Sequence, residues 1–528
     1  MKVIGVFATL ATLCVASTSA AQTDPAPAAD TAVPAAVVQE AAPPARPWPP
    51  YYQDRRFEEN WKPLDWSQPD KGARDFLDHI KAVRLNDSGS VWVGFGGQVR
   101  GRMARQSTVF YGGPFEFQPT MWTWRARLYS DLHLSDRFRV YAEGIYSHTS
   151  IDQFRLKGPN FDAPNLNGDI LNLFGEYNSH IRGNWQGGLW AGRRELQMGH
   201  ERVLSPGNWL LNRHTFDGLG GWIETRTQSH RLEGFVTKPH IPVPDMFTRR
   251  DDSTTFSGLI YTTSIVRRPA VTPGTTAAPP QRIVFQPYLL HVNRNNWWWV
   301  QGTHDEDRAT LGLLTYGDVG STGFDFEFEG MYQYGRYHTP DYRGMIHAYS
   351  ATTEFGYRFK TTRFYPRPYI SFDYASGDKD PNDARLGTFD PLYPLAYVFF
   401  GFHAAFERKN FMAPGLHLEA VPYRNVYFKA NYFPAFIRAQ KNDGVYNSFN
   451  DIVRRPEPQS KGGDFPDLLE ASRNLGQQFD FGIAYLPTHH LLFYGTYLRF
   501  NAGQFFADTQ TAPTANMNGV MILTQFSF

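Results

Sequence analysis

Arg100, Arg102, Arg125, Arg127 and Arg139 occupy alternate positions in three successive stretches of chain, and Glu143 follows Arg139 on the same face. A guanidinium stays charged at physiological pH and closes a two-pronged fork on a carboxylate, so the cluster suits anion binding. Acids gather elsewhere. Asp325, Glu327 and Glu329 alternate in the same way, and Glu354 and Asp373 extend them along the next two stretches. Any one arginine has a plain reading as half of a cross-strand pair that stiffens a polar wall. Five on neighbouring stretches make a patch. The expected arrangement is a basic wall facing an acidic one, whose field orients a charged solute while net charge stays near zero.

Bond-breaking chemistry has no comparable signature. GFGG at 94–97 is not G-x-G-x-x-G, and the chain contains neither a G-x-S-x-G elbow nor H-E-x-x-H. His200 and His214 lack metal-ligand spacing. No catalytic residue and no resident cofactor are expected. Asp378, Asp380 and Asp383 in SGDKDPND offer the oxygen ligands calcium takes, but without the glycine and terminal glutamate of an EF-hand loop a solvated turn is the plainer reading. Trp297 to Trp299 fit either a sugar-stacking platform or an interfacial anchor. A serine and a histidine meeting from distant segments would leave no trace in the sequence, so a hydrolase stays open.

The elements that carry these residues are strands. In residues 121–134, Thr123, Arg125, Arg127, Tyr129, Asp131 and His133 share one face, opposite Trp122, Trp124, Ala126, Leu128, Leu132 and Leu134. Residues 323–334 divide likewise, with Phe324, Phe326, Phe328, Tyr332 and Tyr334 opposite Asp325, Glu327, Glu329 and Gln333. About 18 such segments, separated by turn signals, predict an all-β transmembrane up-and-down antiparallel barrel. Alternation alone equally suits a soluble sandwich or propeller. Three features favour the barrel. Strands near ten residues match the span at a tilt of roughly 45°. Aromatics collect at strand ends, and the chain stops on a strand with Val520, Ile522, Thr524, Phe526 and Phe528 in one register, a terminal phenylalanine that suits outer-membrane assembly machinery.

Composition agrees with that reading. The chain has 528 residues, 16% of them aromatic, and a mean hydropathy of −0.45, too polar for a helical bundle in lipid. Its formal charge of +1 gives no field that would recruit nucleic acid. Residues 1–21 read as a secretory signal peptide that contains the sole cysteine, Cys14, so neither a disulfide nor thiolate chemistry is expected of the mature chain. Residues 22–50 read as a Pro/Ala-rich linker, and 51–528 as the barrel.

Several stretches are similar to the alginate export family of outer-membrane proteins. RFEENWKPLDW (56–66) and FLDHIKAVRL (76–85) lead into GFGGQVRGRMARQ (94–106), and GLWAGRRELQMGHERVLSPGNW (188–209) precedes HTFDG (214–218). YASGDKDPND (374–383), TFDPLYP (388–394) and the RKN of 408–410 continue the likeness. The resemblance implies an 18-stranded barrel whose lumen is narrowed by arginines and passes an anionic polysaccharide. It adds Arg193, Arg194, Arg202 and Asp217 to the lumen candidates Arg100, Arg102, Arg125, Arg127, Arg139, Glu143, Glu327 and Glu329. The long linker and the inserts at 267–280 and 454–473 depart from the compact family pattern, so loop gating and periplasmic partners stay open. The leading expectation is a passive, non-enzymatic outer-membrane channel for anionic sugars or polysaccharide, with saccharide and outer-membrane lipid as its partners. A general small-solute porin is the second reading and an outer-membrane hydrolase the third.

Overall fold

The computed structural model describes residues 52–61, 76–106, 120–150, 166–208, 212–241, 243, 247–267, 281–300, 302–338, 343–360, 362–395, 399–402, 406–446, 452–454, 469–509 and 516–528. The signal peptide, the Pro/Ala-rich linker and most of the inserts at 267–280 and 454–473 lie outside the described residues. Eighteen long strands form the wall. The first six are β1 (Trp92–Gln106), β2 (Thr120–His133), β3 (Phe138–Thr149), β4 (Leu166–Arg182), β5 (Trp185–Arg194) and β6 (Phe216–Thr225). Then come β7 (His230–Ile241), β8 (Thr255–Arg267), β9 (Gln281–Trp299), β10 (Gly302–Asp318), β11 (Phe324–His338) and β12 (Arg343–Tyr357). The last six are β13 (Arg367–Ala375), β14 (Phe411–Tyr423), β15 (Val426–Arg438), β16 (Asn474–Tyr485), β17 (Leu491–Ala502) and β18 (Met517–Ser527). Each pairs antiparallel with its sequence neighbour, and β1 pairs with β18 from Gln98↔Ser527 to Gln106↔Gly519. The barrel is closed. Closure satisfies every wall strand on both edges, as backbone crossing lipid must be.

The two faces sort as the alternation predicts. Leu128 is 61% exposed and Trp124 52%, whereas Arg125 and Arg127 are buried. Phe328 and Tyr332 likewise point outward, with Glu329 and Gln333 inward. The rim that carries Trp92 and Ser527 has mostly short turns, such as Arg182 to Trp185 and Tyr423 to Val426. The long connections after β5, β13 and β15 leave the opposite rim. Short turns face the periplasm in such barrels, so these long segments are external loops.

The described parts of the loops after β5 and β13 fold inward and meet a third segment from below. The β5–β6 loop pairs with the β13–β14 loop: Ser205 N donates to Tyr393 O at 2.8 Å, and Leu395 N to Glu201 O at 2.9 Å. Phe57 enters from the N-terminal side and packs edge-on against Tyr141 and Phe174. Its segment is tied to the chain end, with Arg56 Nη2 donating to Phe528 O at 2.6 Å. Gly94 of GFGG makes room for the 76–85 stretch that follows, because a Cβ there would stand 2.5 Å from the Lys81 carbonyl oxygen.

β9 departs from simple alternation. Its register shifts between Arg294 and Trp297, with Asn296 at φ 56°, so a bulge reverses the facing of the residues beyond it. Trp299 therefore points inward, fully buried beside Tyr337 and donating its Nε1–H to Glu306 at 3.0 Å. It is a core residue, neither an interfacial anchor nor an open stacking platform.

Candidate functional site

Arg100 on β1 lies directly opposite Arg125 on β2, and both side chains enter the lumen. Like charges in register repel, so an acceptor must sit between them. That acceptor is Asn208 of the β5–β6 loop. Arg100 Nη1 and Arg125 Nη1 each donate to its main-chain oxygen at 2.8 Å, and their Nη2 atoms each donate to its Oδ1 at 3.0 Å. Arg213 from the same loop adds a donation to Oδ1 at 2.7 Å. Gln525 and Gln98 hold the two wall arginines from the side, with Arg100 Nη2 to Gln525 Oε1 at 2.7 Å and Arg125 Nη2 to Gln98 Oε1 at 2.8 Å.

Arg127, Arg139, Arg193 and Arg194 are compensated by acids. Arg102 donates to Thr123 Oγ1 at 3.0 Å. Arg127 bridges Glu143 at 2.9 Å and Glu195 at 3.7 Å. Arg139 pairs with Glu176 at 3.2 Å and Asp131 at 3.3 Å. Arg194 also reaches Glu176, at 3.0 Å, and stacks over Phe57. Arg193 and Asp217 form their own pair at 3.1 Å, joined by His240.

Arg202 belongs to the other side of the barrel. It binds Glu327, and lies 3.4 Å from Glu329 and 3.2 Å from Glu354, while His200 Nδ1 lies 2.5 Å from the second Glu327 oxygen. β11 and β12 stand about half a circumference from β1 and β2. One loop therefore crosses the lumen, with Arg202 fixed on the acidic wall and Asn208 on the basic wall. The acids of β11 and β12 are largely answered by a cation from this crossing loop, which narrows the field expected between two bare walls.

The N-terminal segment locks the crossing from below. Arg213 holds Asp54 with two bonds, Nη1 to Oδ1 at 3.1 Å and Nη2 to Oδ2 at 2.9 Å, and also pairs with Glu195. Burial alone would push the Asp54 carboxyl up, but the Arg213 guanidinium outweighs it and holds the group below its ordinary value. Glu201 is treated differently by its surroundings. Burial, reinforced by the Asp54 charge, pushes its carboxyl up to about 7, and it accepts a hydrogen bond from Ser205 Oγ at 2.6 Å. His214 Nδ1 lies 3.0 Å from Ser205 O, and burial lowers its pKa.

The β13–β14 loop has a separate anchor. Asp390 binds Arg294 and lies 3.0 Å from Lys409 Nζ, and Arg408 lies 2.8 Å from Asp373. In the same loop, Asp378, Asp380 and Asp383 accept the backbone N–H groups of Asp380, Asn382 and Arg385. They act as turn caps, and among the described residues no group of three or more His, Cys, Asp or Glu side chains is arranged to hold a metal ion.

A serine and a histidine do meet. Ser371 Oγ lies 2.8 Å from His417 Nε2, and His417 Nδ1 lies 2.8 Å from Asn431 Oδ1. Ser371 sits mid-strand between paired neighbours on β12 and β14, so the backbone N–H groups that would form an oxyanion hole are engaged in the ladder.

Alternation points to the wall residues Arg100, Arg102, Arg125, Arg127, Arg139, Glu143, Glu327 and Glu329. It cannot point to Asn208, Arg213, Asp54 or Glu195, which lie on irregular segments. Their sequence signal is the family-like stretches alone: Glu195 and Asn208 fall within residues 188–209, Arg213 directly precedes HTFDG, and Asp54 lies two residues before RFEENWKPLDW.

Comparison with known proteins gives the same architecture. The family model described as alginate export matches residues 91–520. No curated protein matches the chain. Among solved structures, Acinetobacter baumannii OccAB3 aligns with a TM-score of 0.52 at 10% identity, covering 83% of this chain and 99% of that one. A BenF-like porin from Pseudomonas fluorescens Pf-5 aligns at 0.50 with 11% identity, covering 83% and 98%. At such identities the likeness concerns the fold.

Proposed function

Because the chain belongs to the alginate export family and is an outer-membrane channel, we propose that it passes anionic sugars or polysaccharide by passive diffusion, with the arginines of its inner wall selecting the solute. The observation that carries this reading is the convergence of Arg100, Arg125 and Arg213 where the β5–β6 loop crosses the lumen. A uronate carboxylate presents two oxygens that a guanidinium fork accepts, and neighbouring Arg102, Arg127 and Arg139 offer further positions along β1 to β3. Binding that is moderate and repeated lets a solute move from one site to the next. Arg127 and Arg139 share their charge with Glu143, Glu195, Glu176 and Asp131, which keeps the positions beyond the crossing weaker.

Single-channel current in planar bilayers, titrated with polyuronate and with neutral oligosaccharide of equal length, tests the reading. Block by the anion alone is expected. Equal block by both would make the protein a general small-solute porin.

A further inference from the structure

We propose that Asn208 is a built-in stand-in for a solute carboxylate, and that a carboxylate entering the lumen takes its place and releases this end of the crossing loop. The proposal deepens the anionic-solute reading and rests on it. Its basis is the geometry around one residue. The main-chain oxygen and Oδ1 of Asn208 lie side by side, and Arg100 and Arg125 each fork across the two, one Nη on either oxygen. That is how a guanidinium grips the two oxygens of a carboxylate. Arg213 brings a third guanidinium to Oδ1. An amide oxygen has two lone pairs and no net charge, so three cationic donors on one such atom form a coordination suited to an anion.

The surroundings fit a displaceable occupant. Asn208 and the three arginines are buried, so an incoming carboxylate would bind in a low-dielectric site where charge counts for most. The residue sits at a bend. Gly207 has φ 64°, in the left-handed region that favours glycine, and its N–H donates to Ser205 Oγ at 2.9 Å, so the turn that presents both Asn208 oxygens is local. The loop is held independently by Arg202 on the opposite wall and by Ser205 on Tyr393, so Asn208 can leave without unseating the rest. The chemical class of ligand is a monocarboxylate presented on a sugar ring.

Two substitutions act in opposite directions. Asn208→Ala removes the internal competitor, and Asn208→Asp installs a tethered anion in its place. In planar bilayers with the full chain, the galacturonate concentration giving half block is expected to fall by about tenfold in N208A and to rise by about tenfold in N208D, with galactose as the neutral control. Shifts in the same direction, or no shift in either variant, would overturn the proposal. A further variant, Arg100→Gln with Arg125→Gln, separates the stand-in from the solute class. If wild type and this double variant respond alike to galacturonate, the anionic-solute reading itself fails. If the double variant loses block while both Asn208 variants match wild type, the stand-in alone is refuted.

Discussion

Replacing Arg202 by methionine should open the channel, because this side chain fastens the crossing loop to the acidic wall. Methionine keeps an unbranched apolar stem against Phe399, over whose ring the guanidinium lies at 4.4 Å, and removes only the charge and its hydrogen bonds. Glu327, Glu329 and Glu354 then face one another, with His200 as the partner left on Glu327. Breaking a buried ion pair by removing one member costs about 3–5 kcal/mol, because the remaining charge stays desolvated. At about 1.4 kcal/mol per tenfold, even the lower figure raises the detached-loop population roughly a hundredfold. The assay is single-channel conductance and reversal potential under a salt gradient. Arg202→Met should raise conductance and shift selectivity toward cations, and adding Glu327→Gln should reverse part of the selectivity shift. A folded Arg202→Met channel with wild-type conductance and reversal potential would refute the claim that this loop constricts the lumen.

Three further outcomes are expected from the same geometry. Asp54→Ala removes both bonds to Arg213, so limited proteolysis from the periplasmic side should cut the N-terminal segment faster in this variant than in wild type. Since the Asp54 carboxyl is held below its ordinary value of 3.8, its contribution is present above that pH and lost as pH falls through the depressed value, so wild type should approach the variant only in strong acid. Glu201, pushed up to about 7 by burial, favours the protonated form; stability of the crossing loop should therefore decline as pH rises from about 4.5 to about 7, by ~3 kcal/mol at most, and Glu201→Gln should flatten the pH dependence of current noise over that range. Leu128→Arg places a charge on the lipid face of β2 and should cost about 2–4 kcal/mol if the site is near the midplane, measured as reduced folding yield into vesicles.

The wall is legible in the sequence because a strand repeats every two residues. Arg125 and Trp124 differ by one position and end on opposite faces of the barrel wall, so chemistry and facing come from the same pattern. The crossing loop has no such period. Arg202 stands close in sequence to Arg193 and Arg194, yet it reaches the acidic wall, and only three-dimensional distance separates their roles. Asn208 carries no charge and, although it lies in the family-like stretch 188–209, nothing in that stretch shows that it sits between Arg100 and Arg125. Trp299 shows a different failure. Its place at a strand end suggests an anchor, but the bulge at Asn296 reverses the parity and turns it inward. GFGG lies within β1, and the room that Gly94 and Gly96 leave for Lys81 depends on a contact the sequence does not reveal.

The central claim, that wall arginines select anionic solutes, is tested most directly by the reversal potential of wild type against a variant with Arg100, Arg102, Arg125 and Arg127 neutralised together to glutamine. The wild type should prefer anions, and the variant should lose that preference while remaining a folded, conducting barrel. An anion preference unchanged by the four substitutions would contradict the claim.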